Sequence, residues 1–149
     1  MKNFLKTSFS HRGIPAYLLL GSGLFILVVS FFYLPSAITT AGKSYYQMVS
    51  FILLLVGSLF QLSAFFLLPL ARLHGVGAQL PVVSSLCYGF ALGMQCYQLS
   101  FPLADKLTKV YFFGGNFTLG LVFLILFLVP ALLNVVLCFF PSLEKRKAV

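Results

Sequence analysis

The stretch VYFFGGNFTLGLVFLILFLVPALLNVVLCFFPSL, residues 110–143, runs for 34 residues without a charged side chain. An α-helix rises about 1.5 Å per residue, so about 20 apolar residues carry it across the roughly 30 Å of hydrocarbon in a bilayer. Three further charge-free runs precede this one, over 13–42, 44–71 and 73–104. A charge at the centre of a spanning helix costs about 2.5–3.5 kcal/mol on insertion, which explains why Lys43, Arg72, Asp105, Lys106 and Lys109 fall between the runs. The pattern predicts an all-α integral membrane protein, a four-helix transmembrane bundle, with spans over 15–34, 46–70, 81–101 and 112–140. Up-down-up-down topology follows from the short connections.

Composition agrees. The chain has 149 residues, 60% apolar and 8% charged, with a mean hydropathy of +1.04. A soluble domain is about 25% charged, so these few polar groups cannot cover a water-facing surface. One membrane domain over 1–149 is expected. The net charge of +8 would suggest nucleic acid in a soluble protein, but here the basic residues flank apolar runs. Anionic lipid headgroups are therefore the expected counterions, with Arg72, Lys145, Arg146 and Lys147 facing them, and no nucleic-acid partner is expected.

Proline placement predicts the helix limits. Pro15 and Pro81 suit first turns, where a missing N–H costs no helical bond. Pro35, Pro102 and Pro141 are placed just past helix ends, Pro69 in a last turn, and Pro130 alone inside a span. Seven Lys and Arg lie on one side of the four spans (Lys2, Lys6, Arg12, Arg72 and the tail) against three on the other (Lys43, Lys106 and Lys109). The positive-inside rule then places both termini in the cytoplasm, N-in/C-in, of a multi-pass protein in a plasma or inner membrane. Tyr33, Tyr45, Tyr46, Tyr97 and Tyr111 are assigned to an outer aromatic belt and Tyr17 to the inner one. The apolar run after the basic start is longer than the core of a signal peptide and reads as an uncleaved first helix.

Helices already in lipid associate through small residues and interhelical hydrogen bonds. On the second helix Ser50, Gly57 and Ala64 repeat every seven residues, with Gln61 on the same stripe. On the third, Ser85, Gly89 and Gly93 form a small-residue row suited to close approach of another backbone. The third helix is also the most polar: at about 100° per residue, Ser84, Tyr88, Gln95 and Gln98 share an arc of about 80°. Asn116 and Asn134 of the fourth helix are expected to meet that arc, as a polar pocket or as interhelical contacts.

Chemistry has few candidates. No ionisable side chain falls at mid-span, where proton relays and ion-coupled carriers place theirs. His11 and His74 lie in separate segments with no Cys or carboxylate to complete a metal site. Cys87 and Cys96, nine apart, lie on opposite faces of one helix and cannot bond to each other. His74 and Asp105 are assigned to opposite membrane faces, which excludes a Ser–His–Asp triad. The expectation is a non-catalytic accessory or assembly subunit without a cofactor, partnered by other membrane subunits or by copies of itself. The alternative is an oligomeric channel or carrier for an uncharged or lipidic solute, using the polar face of the third helix.

Overall fold

The computed structural model describes residues 13–36, 44–67, 74–111 and 115–139. All regular structure among these residues is helical: α1 (Ile14–Ser36), α2 (Ser44–Leu67), α3 (His74–Thr108) and α4 (Phe117–Cys138). Three helices hold stretches long and apolar enough to cross a membrane, Ile14–Tyr33, Gln47–Leu67 and Phe117–Cys138. The third helix falls short on composition rather than length. Its 35 residues reach about 52 Å. Ser84, Gln95, Gln98 and Asp105 lower its apolar content, and all four are buried. Val82, Leu86, Phe90 and Leu103 face outward instead, so the average understates how apolar the outer surface of α3 is.

The third helix runs beyond the limits expected from the sequence. Both Pro81 and Pro102 lie inside α3, and Pro35 lies within the last turn of α1. Proline in a helix interior removes one bond to the carbonyl four residues back, a defect that nearby hydroxyls offset where water is excluded. The carbonyl that Pro81 leaves without its helical donor is that of Gly77, whereas the hydroxyls of Ser84 and Ser85 donate to the carbonyl of Pro81 itself, at 3.2 and 2.9 Å. Charge does not end the helix either, since α3 continues through Asp105 and Lys106. It stops at Lys109, whose left-handed backbone (φ 58°) breaks the bonding pattern. The Lys106 ammonium sits 5.3 Å from the ring centre of Phe117, joining the end of α3 to the start of α4. Pro130 is internal to α4, as its position suggests. Pro69, Pro141 and the basic residues Arg72, Lys145, Arg146 and Lys147 lie outside the described residues.

Helix α1 packs on α2 and α4, and α3 packs on the same two. The main core joins Ile26 and Tyr33 of α1, Leu54 of α2, Tyr88 and Ala91 of α3, and Phe123, Phe127 and Ala131 of α4. A smaller cluster of Leu19, Ala64 and Leu137 fills the other end. Tyr33 is the keystone of the aromatic part, edge-on to Phe123 at 5.4 Å and to Phe127 at 5.8 Å. It is only 2% exposed and is not part of an interfacial belt. Tyr17, Tyr97 and Tyr111 are exposed.

Two glycines are required by close approach. A Cβ on Gly57 would meet the Tyr88 ring at 2.7 Å, and one on Gly23 would meet the Gln61 side chain at 3.3 Å. Gly21, Gly89 and Gly93 have nothing within 4 Å of that position. The substitution Gly57→Ala is therefore expected to destabilise the fold by about 1–3 kcal/mol, as overpacking does. By contrast Gly89→Ala should be neutral or stabilise by about 0.5–1 kcal/mol through helix propensity. Equilibrium unfolding of the two variants in detergent micelles separates them, and equal stability would refute the close-approach argument.

Candidate functional site

The polar residues of α3 turn inward and divide among three neighbours, because the bundle surrounds this helix over a wider arc than one partner covers. The central contact is at Gln61 of α2. Its Nε2 donates to the Leu19 carbonyl at 2.8 Å and to Ser22 Oγ at 2.6 Å, both on α1. Its Oε1 accepts from the Tyr88 hydroxyl of α3 at 2.6 Å. One amide thereby ties three helices, and all of it is buried. Glycine at 57, one turn before Gln61, gives the Tyr88 ring its seat. Ser50, two further turns away, donates to the Ala91 carbonyl of α3 at 2.9 Å. Ala64 is fully buried in the smaller core cluster.

A second contact joins α3 to α4. Asn134 Nδ2 lies 3.1 Å from the Pro81 carbonyl, 2.7 Å from Ser84 Oγ and 2.9 Å from Ser85 Oγ. Ser85 also lies 3.7 Å from Cys138 Sγ. The irregularity at Pro81 and the two serines after it thus form the acceptor group that receives a buried asparagine. Asn116 takes no part. It is exposed and caps α4, its Oδ1 accepting from the Leu119 N–H at 3.1 Å.

The third contact lies where α1 ends and α2 begins. The Tyr33 hydroxyl donates to Gln98 Oε1 at 3.2 Å. Around it three amides remain incompletely bonded: Nε2 of Gln47, of Gln95 and of Gln98 has no hydrogen-bond partner, nor has Gln95 Oε1. Gln95 is only 5% exposed. The arc read from the sequence contains all four α3 residues of this interior, but Ser22, Tyr33 and Gln47 escape that reading. The available signal for Ser22 and Gln47 is a lone polar residue within an apolar run.

The row Ser85–Gly89–Gly93 does not close onto another helix of the chain. Ser85 is partly buried, whereas Gly89 and Gly93 are exposed and open. A groove of about 450 Å³ lies between α1 and α4, lined by Leu18, Gly21, Phe25, Val129, Pro130 and Leu133 among others, and it is almost wholly apolar. The cysteines are free, Cys96 exposed and the other two partly buried. Among the described residues no group of three or more metal-ligating side chains converges.

Removing the Tyr88 hydroxyl leaves the Gln61 carbonyl buried and unbonded. The expected cost of Tyr88→Phe is about 0.6–1.7 kcal/mol, the range for interhelical hydrogen bonds in a membrane protein. Tyr111→Phe, whose ring is 90% exposed, serves as the control. Denaturation of both variants in mixed micelles checks the difference, and an unchanged midpoint for Tyr88→Phe would contradict the bridging role. No protein-family model, curated protein or solved structure matches this chain.

Proposed function

We propose that this chain is a non-catalytic subunit of a membrane assembly: one domain of four spans, up-down-up-down, with both termini cytoplasmic. The observation that carries this reading is the way α3 divides its polarity. Ser84, Tyr88 and Gln98 are engaged within the bundle, while Gly89 and Gly93 face outward beside exposed Leu86 and Phe90. The inward hydrogen bonds hold the bundle, and the outward row lets a helix of another copy or of a partner approach closely.

The pairings between helices support the topology. Residue numbers rise along one helix as they fall along its neighbour, as in Gln61 with Leu19 and Phe51 with Phe31. The same holds for Ser50 with Ala91 and Gln61 with Tyr88, for Asn134 with Pro81 and Phe117 with Lys106, and for Phe123 with Tyr33 and Leu137 with Leu19. The length of α3 and its apolar outer side chains support its reading as the fourth span. Basic residues at the cytoplasmic face, Arg72 and the tail Lys145, Arg146 and Lys147, would hold anionic headgroups.

In a Cys96→Ser background, Gly93→Cys is expected to form a covalent homodimer or a defined heteromer when membranes are mildly oxidised. A monomer that stays uncrosslinked and elutes alone from mild detergent would sink the subunit reading. Reporter fusions should place residue 149 on the cytoplasmic side, and an external carboxyl end would reverse the orientation. The carrier reading draws on the incompletely bonded glutamines near Tyr33. It requires solute flux in liposomes holding this protein alone, and absence of flux across uncharged solutes leaves the subunit reading standing.

A further inference from the structure

Gln61 and Gln95 are the same residue type in the same bundle, with opposite fates. Every amide atom of Gln61 has a partner, and neither amide atom of Gln95 has one. Turning the Gln95 amide end for end only exchanges one orphan for the other. The same operation on Gln98 moves its orphan from nitrogen to oxygen, because Tyr33 already occupies one end. A buried amide without partners costs about 1–3 kcal/mol, so an arrangement with several of them calls for a further bonding group.

Backbone geometry brings these orphans together. Gln95 and Gln98 are one turn apart on one face of α3. Ser50 bonds to the Ala91 carbonyl at 2.9 Å, and since α2 and α3 run in opposite senses, Gln47 comes level with Gln95 one turn further on. A second feature points to the same spot. Pro102, inside α3, has no N–H to give to the Gln98 main-chain carbonyl. Three amide nitrogens therefore offer N–H groups, while Gln95 Oε1 and the Gln98 carbonyl offer lone pairs. An anion cannot serve the two acceptors, and a cation cannot serve the three donors.

The geometry points to a built site for ordered water among Gln47, Gln95, Gln98 and Tyr33, within one turn of the start of α2. Water both donates and accepts, is small enough for a site whose side chains are nearly fully buried, and needs two to four polar partners. The inference does not depend on the subunit reading. It makes this end of the interior wet and the Gln61 crossing dry.

The test uses the full wild-type chain, labelled with ¹⁵N in glutamine, in phosphatidylcholine liposomes. Water-edited solid-state NMR measures how fast magnetisation reaches each side-chain amide, with assignment through the backbone. Transfer to Gln95 and Gln98 is expected to be several-fold faster than to Gln61. Slow transfer at all three overturns the proposal. In Gln95→Met, which nearly preserves volume, transfer to Gln98 should slow several-fold, and an unchanged rate there overturns a shared site.

Discussion

The Gln61 amide is the interaction on which the arrangement depends. A primary amide has two N–H donors and a carbonyl, and in lipid no solvent satisfies them. The protein answers with groups from two other helices: the Leu19 carbonyl and Ser22 hydroxyl on α1, and the Tyr88 hydroxyl on α3. That answer restricts the neighbours. Tyr88 reaches Gln61 only because position 57 has no Cβ, and α1 comes close only because Gly23 has none. Register, rotation and spacing of three helices are thus coupled through one side chain. The energy of such bonds is modest, about 0.6 kcal/mol on average. Their value lies in selecting one packing among many that apolar contact alone would allow.

Helix α3 shows how a polar sequence and a mostly apolar outer surface coexist. Ser84, Tyr88, Gln95 and Gln98 lie within the bundle, so most of its outer surface is apolar although Gln79 and Ser100 face outward. Proline contributes to this division. Around the Pro81 carbonyl the following serines and Asn134 Nδ2 gather into a polar knot between α3 and α4, in which Asn134 Oδ1 has no hydrogen-bond partner. At Pro102 the corresponding disturbance falls next to Gln98, in the region where amides lack protein partners.

Function follows from where polarity is absent as well as where it is present. The outward faces of α1, α3 and α4 are almost continuously apolar, interrupted by Gly89 and Gly93 on α3 and by the groove beside Gly21 on α1. Hydrogen bonds organise the inside, and shape alone distinguishes one outer face from another. Under the proposed subunit role, contact with other helices would rest on van der Waals fit.

Four charge-free runs sufficed to read four helices from the sequence, because a backbone placed in lipid must bond within itself and a helix does so locally. The same reading placed Ser84, Tyr88, Gln95 and Gln98 on one face of α3, since angular spacing within one helix is local too. The helix ends expected at Pro81 and Pro102 are not ends, because a helix packed along its length continues past a single missing bond. Tyr33 and Asn116 stand elsewhere than expected for another reason. Periodicity gives the angle between two residues of a helix but not the direction in which the helix is turned. That direction is decided by what the neighbouring helices present, such as Phe123 and Phe127 for Tyr33 or Gln61 for Tyr88, and it exists only once all four helices are packed.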